Sequence, residues 1–436
     1  MLSRIALETP RVGVIDVPLL RYTRWALAIT AAALPLYVVK WQIGPLSTTP
    51  LEVVIVITIA LYAITATLHD EVRPRRTPYE IPIALFIVAG IIGIFVAPDH
   101  SGAFAIFRQD MLEPVAIFYI ATAVLHNSTS INSLLAVWGA ASILFAGVEV
   151  VTFGNAVVTG TLKPGDATAA FGMNPNTLAL YLEPLIGLSA GLALFLDGRR
   201  RRAAIAVFGS LLIAELCTLS RGGLLALLML ALVAFFTLAA PLGRIAIATA
   251  TGAGAMAVMQ LPFIGPRLNE VLAPTGTPLR RLDIWFATLR MLRDHPVLGS
   301  GLGSYKTVMA PYRAPDPLLN PQPYPHNILL SGWTELGLLG LFAFTWIVVG
   351  LAVQPWRAFA RATGFPRALL WGSGAAFAMV ITHGLVDNPY WKNNMSVEFW
   401  LIAALEVLAL AAVKRAGRMR VEDAGSSAGQ EVRRSA

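Results

Sequence analysis

The sequence predicts an all-α polytopic membrane protein, with about 12 transmembrane helices and one large outer loop between helices 9 and 10. Three observations carry that prediction. Of 436 residues, 56% are hydrophobic and only 13% charged, roughly half the charge of an ordinary soluble domain. Apolar runs long enough to cross a bilayer, about 20 residues at roughly 1.5 Å of rise each, recur from Trp25 to Val413. The basic residues fall unevenly between alternate loops. This composition excludes a disordered chain, a nucleic-acid-binding domain and most cytosolic enzymes. No segment sustains the strict alternation of a membrane β-barrel.

In order, the spans are read at 24–39, 51–68, 79–97, 104–125, 131–153, 174–196, 203–219, 223–240, 245–261, 327–352, 367–386 and 395–413. With the N-terminus inside, the inner side holds Arg4, Arg11, Arg21, Arg24, Arg73, Arg75, Arg76, Arg199 to Arg202, Arg244, Arg357, Arg361 and Arg367. The tail adds Lys414, Arg415, Arg418, Arg420, Arg433 and Arg434. The short outer loops hold only Lys40, Lys163, Arg221 and Lys392. That bias puts both termini in the cytoplasm. The first apolar segment resembles a signal peptide, with Ala31, Ala32 and Ala33 after it, but the charge pattern uses it as a retained helix. The chain divides into a cytoplasmic N-terminus (1–23), helices 1–9 (24–261), a periplasmic loop domain (262–326), helices 10–12 (327–413) and a cytoplasmic tail (414–436) predicted to be disordered. The single cysteine, Cys217, lies in a span, which leaves no disulfide framework.

The loop breaks the outer-side shortage of basic residues: Arg267, Arg280, Arg281, Arg290, Arg293, Lys306 and Arg313 stand against Glu270, Asp283, Asp294 and Asp316. Arg281 to Arg293 reads as an amphipathic helix, with Ile284, Trp285, Thr288, Leu289 and Leu292 on one face. It is either an interfacial helix with its arginines near lipid phosphates or a cap on the bundle. The run Leu298-Gly299-Ser300-Gly301-Leu302-Gly303-Ser304-Tyr305 is either an anion-approaching loop or a tight turn after Pro296. It is not a dinucleotide fingerprint, because its third glycine comes too early. The loop ends Pro321-Gln322-Pro323-Tyr324-Pro325-His326-Asn327. The prolines bar helix until about His326, so this imidazole is expected in the first turn of the tenth span. There it is a proton acceptor or a structural donor. Asn327, Ser331 and Glu335 continue inward as one polar stripe at four-residue spacing, expected to face protein or a wet cavity.

Other polar groups gather at the outer ends of spans. Arg221 sits in Ser220-Arg221-Gly222-Gly223, with Glu215 and Thr218 about one turn deeper. It either snorkels to the interface or lines a site. Arg108, Asp110 and Glu113 crowd the fourth span. Asn174 and Asn176 open the sixth, and Glu183 follows on Asn176's face. His383 and Asp387, four apart, are close enough to hydrogen-bond. They either orient an imidazole or satisfy two buried groups. One outward cavity lined by arginines, a histidine and carboxamides is the economical reading, and guanidinium forks match phosphate geometry. No Asp-rich motif or zinc-type histidine pair implies a metal.

The order Ser220-Arg221-Gly222, Arg281-x-x-Ile284-Trp285, His295-Pro296-x-Leu298-Gly299-x-Gly301-x-Gly303-x-Tyr305, His326-Asn327 and Glu335-Leu336-Gly337-x-x-Gly340 resembles the bacterial O-antigen ligase family. That family shares its signature domain with O-antigen polymerases and protein O-oligosaccharyltransferases. The resemblance covers the span layout and the large loop, most specifically about residues 220–340. It implies a GT-C-like glycosyltransferase of the bacterial inner membrane, needing neither cofactor nor nucleotide. Such an enzyme moves a glycan from undecaprenyl diphosphate to lipid A–core at the periplasmic face. By the family pattern His326 is the general base, and Arg221 and Arg281, with Arg280 adjacent, bind the diphosphate. Asn327, Gly301, Gly303, Tyr305 and Asn176 are expected at the substrate, with Glu335, His383 and Asp387 in support. A polymerase and a protein oligosaccharyltransferase use the same donor. A transporter is disfavoured, since it calls for paired broken helices and charges at the bilayer midplane.

Overall fold

The computed structural model describes residues 18–43, 46–74, 76–163, 166–238, 241–259, 277–313 and 322–435. Arg4, Arg11, Arg75, Arg267, Glu270, Asp316 and Pro321 lie outside the described residues, as do 262–276 and 314–321 of the loop domain.

The described chain is nearly all helical, apart from a short hairpin, β1 (Trp41–Ile43) and β2 (Leu46–Thr48). The main helices are α1 (Pro18–Ala33), α2 (Pro50–Leu68), α3 (Glu80–Val96), α4 (His100–Phe107), α5 (Glu113–Val124), α6 (Ser128–Val158), α7 (Pro175–Phe195), α8 (Gly198–Cys217), α9 (Arg221–Thr237), α10 (Pro241–Met259), α11 (Thr277–Asp294), α12 (Ile328–Phe359), α13 (Gly364–Gly384) and α14 (Asn393–Ser435). Six of them, α2, α6, α7, α12, α13 and the first part of α14, are long and apolar enough to cross a membrane. The other apolar segments read from the sequence are shorter, broken or charged. Helix α1 ends in a 3₁₀ turn at Leu34–Val38 that contains Pro35. The fourth segment is interrupted by a π-helical turn, Arg108–Leu112, where Arg108 pairs with both Glu52 and Glu113. Helix α8 opens on four arginines. Helix α14 runs on through 414–435, where composition predicts disorder. Extending an existing helix needs no new nucleus, and Ala, Arg and Glu sustain it.

The centre of the bundle is α7 against α13. Every residue from Thr177 to Leu192 is buried. The two backbones meet through Gly187, Gly191 and Gly372; a Cβ on Gly191 would reach Gly372 N at 2.5 Å. Small residues let membrane helices approach this closely. Trp371 of α13 donates to Thr237 Oγ1 of α9 at 2.8 Å, tying a third helix to the pair. The ends of α7, α9 and α13 that carry Asn176, Arg221 and His383 arrive side by side.

Helix α12 is broken at Gly337, with φ 66° and ψ −168°, a conformation essentially restricted to glycine. The break frees backbone groups, and the glycine-rich loop satisfies them. Leu338 N–H donates to Val297 O at 2.9 Å. Thr334 O accepts from Ser300 N at 2.7 Å and from Ser300 Oγ at 2.9 Å. Glu335 accepts from Gly303 N–H at 2.5 Å. Gly301 lies against the end of α3, where a Cβ would meet Ala97 N at 2.5 Å. The Gly-x-Gly-x-Gly run and the Glu335-Leu336-Gly337 motif thus form one splice.

Candidate functional site

Helix α11 caps the first part of α12. Its buried face is Ile284, Ala287, Thr288, Met291 and Leu292, packed with Tyr305 and Met309. Leu289, expected on that face, is 42% exposed, and Met291 takes its place. Arg281 and Trp285, one turn apart, both reach the site. Trp285 Nε1 donates to Pro325 O at 3.0 Å, fixing the chain just before His326.

His326 does not begin the helix. Asn327 is the N-cap; its Oδ1 accepts from Leu329 and Leu330 N–H at 3.0 Å each, and its Nδ2 donates to Leu385 O at 2.9 Å. An asparagine makes the better cap. The histidine is left one residue outside, in the left-handed region at φ 52°. Few non-glycine residues adopt that conformation, and it persists where surrounding contacts hold it.

Those contacts define the site. His326 Nδ1 lies 3.0 Å from Asp387 Oδ1, and its Nε2 lies 3.0 Å from Gln322 Oε1. The Tyr324 ring packs against the imidazole at 4.7 Å between centroids. Asp387 Oδ1 also accepts Asn388 N–H at 2.9 Å. Asp387 Oδ2 accepts Asn176 Nδ2 at 3.2 Å and faces Arg281 Nη2 at 3.5 Å. Ser220 caps α9 by accepting Gly223 N–H and donates its own hydroxyl to Asn176 Oδ1 at 2.9 Å. Three segments far apart in sequence thus converge on one carboxylate.

Burial works against the Asp387 charge, but the His326 hydrogen bond and facing positive groups, Arg281 among them, outweigh it and hold the carboxyl down at about 2. A carboxylate can only accept, so Nδ1 of His326 carries the hydrogen in this pair, which leaves Nε2 as the other ring nitrogen, toward Gln322. Burial lowers the Arg281 pKa, with the Arg221 charge adding to the effect and Asp387 opposing it. A guanidinium stays charged nonetheless.

Directly beneath lies a second layer. His383 Nδ1 bonds Glu183 Oε1 at 2.5 Å, both fully buried. Gly222 and Gly223 leave room for it, since a Cβ on either would run into the His383 imidazole or the Glu215 carboxylate. His383 therefore pairs with Glu183, while Asp387 turns to His326. The sequence spacing suggested a His383–Asp387 pair, and what joins these two is backbone: Asp387 N–H donates to His383 O at 2.9 Å.

Of the expected site residues, the structure brings together His326, Arg281, Asp387 and Asn176, with Arg221 within electrostatic reach and His383 beneath. Arg280 is exposed, so Arg281 is the inward member of that pair. Gly301, Gly303 and Glu335 belong to the splice. Tyr305 is fully buried against α11 with its hydroxyl on Thr288 at 2.7 Å, and burial pushes that hydroxyl up to about 12. Asn327 is committed to capping. The polar groups of Gly303, Glu335, Tyr305 and Asn327 are engaged within the fold, and Glu335, expected in a supporting role facing protein or a wet cavity, faces protein. Gln322 and Tyr324 escape sequence reasoning, since their approach depends on the reversal at His326.

The histidine, its carboxylate and Arg281 thus lie together at one end of a bundle in which six of the described helices are long and apolar enough to cross a membrane. Residues 205–345 match the family model described as O-antigen ligase. Members of that family are glycosyltransferase-like enzymes. No curated protein matches the chain. The matched region holds Arg221, Arg281 and His326, whereas Asn176 and Asp387 come from outside it.

Proposed function

We propose that the protein is an O-antigen ligase, transferring a glycan from undecaprenyl diphosphate to lipid A–core at the periplasmic face of the inner membrane, with both termini cytoplasmic. The observation that carries this reading is the Asp387–His326 pair beside Arg281. In the reaction, the acceptor hydroxyl attacks the anomeric carbon as its proton passes to His326 Nε2. The bond to the diphosphate breaks in the same displacement, which inverts that carbon. Asp387 fixes the imidazole tautomer and stabilises the imidazolium. Arg281 and Arg221 meet the charge growing on the departing lipid diphosphate.

The test is purified protein supplied with the lipid-linked donor and two acceptors. Glycan on lipid A–core is the expected product. Lengthened lipid-linked glycan would make it a polymerase, and glycan on a periplasmic protein an oligosaccharyltransferase.

A further inference from the structure

A glycosyltransferase that activates a hydroxyl with an open histidine faces a chemical hazard, because water is a hydroxyl too. In this chain the reactive nitrogen is not open. Gln322 Oε1 sits 3.0 Å from His326 Nε2, on the side away from Asp387. The Tyr324 ring covers another edge of the imidazole, whose side chain is 21% exposed. The left-handed turn at His326 is what folds Gln322, four residues back, onto the ring. An amide suits this position in both protonation states. As oriented, its oxygen accepts from a protonated Nε2; after a half-turn, its NH₂ donates to a bare Nε2.

We propose that Gln322 occupies the acceptor-hydroxyl position on His326 and is displaced by the glycan acceptor, so that it suppresses hydrolysis of the lipid-linked donor. The inference rests on the glycosyltransferase reading above. The suppressed reaction is balanced. Water oxygen bonds to the anomeric carbon, and the bond to the diphosphate breaks. One water proton goes to His326 Nε2, and the other stays on the free sugar. A bulky acceptor gains contacts across the pocket and can displace the amide, whereas a single water gains too few.

The experiment incubates full-length protein with the lipid-linked donor, with and without acceptor, and measures free reducing glycan and released lipid diphosphate. Gln322→Ala removes the amide, and Gln322→Asn withdraws it by one methylene while keeping a polar side chain. Both are expected to raise the ratio of hydrolysis to transfer about tenfold, the upper end for one lost neutral hydrogen bond. Adding His326→Ala should abolish the extra hydrolysis. An unchanged or lower ratio in both variants overturns the proposal, and so does extra hydrolysis that persists without His326. Wild-type protein that neither transfers nor hydrolyses the donor would instead overturn the glycosyltransferase reading.

Discussion

Asp387→Asn tests the site with the least change in shape. Oδ1 accepts from His326 and Asn388, while Oδ2 accepts from Asn176 and faces Arg281. An amide can keep only one oxygen. With that oxygen toward His326, the tautomer survives, but the NH₂ then opposes the donors of Asn176 and Arg281. The imidazolium formed during transfer loses its counter-charge. A charge-assisted hydrogen bond is worth about 1.5–3 kcal/mol, which at roughly 1.4 kcal/mol per tenfold is about 10–100-fold in rate. The loss should fall on kcat, because Arg281, released from Asp387, still binds diphosphate. The assay is steady-state glycan transfer by protein in detergent, with donor varied at saturating acceptor. A kcat within about threefold of wild type, or a loss confined to donor KM, would refute the reasoning.

Three further outcomes follow from the geometry. Arg281→Ala should cost about 10–100-fold in kcat/KM for the donor, with Arg281→Lys recovering only part because it lacks the planar fork; equal damage from Arg280→Ala, on the exposed neighbour, would contradict the assignment. Gly337→Ala puts a Cβ into Val297's carbonyl oxygen at a glycine-only conformation, so a loss of about 3 kcal/mol or more is expected, read as a lower melting temperature; an unchanged melt would refute the splice. Asp387, depressed to about 2 from 3.8, contributes stability that is full above the unfolded value and lost only as pH falls through the folded one. Asp387 should therefore add no ionisation to the rate profile above about pH 5; an acid limb there that Asp387→Asn removes would contradict that.

The apolar segments are legible in sequence because hydropathy is local: each of the twelve read from it lies largely on helix among the described residues. The partner of His326 is not legible. Asp387 lies 61 residues onward, and its spacing from His383 points to a different pair. One backbone hydrogen bond joins those two, while their side chains part toward His326 and Glu183. The glycine run is ambiguous for another reason. Alternate glycines look the same whether their N–H groups face an anion or a neighbour's carbonyl. The difference is set by the break at Gly337, which the sequence conceals inside an apolar run. The family resemblance is what pointed to Arg281 and His326, and its motifs fall within the matched residues 205–345.

The proposed glycosyl transfer turns on His326 as its base. The direct measurement is the rate of glycan transfer to lipid A–core by purified wild-type protein and by His326→Ala, both shown to be folded by the same melting temperature. A fall of about 10²–10⁴-fold is expected, the range of general-base catalysis. Transfer by His326→Ala at the wild-type rate would contradict it.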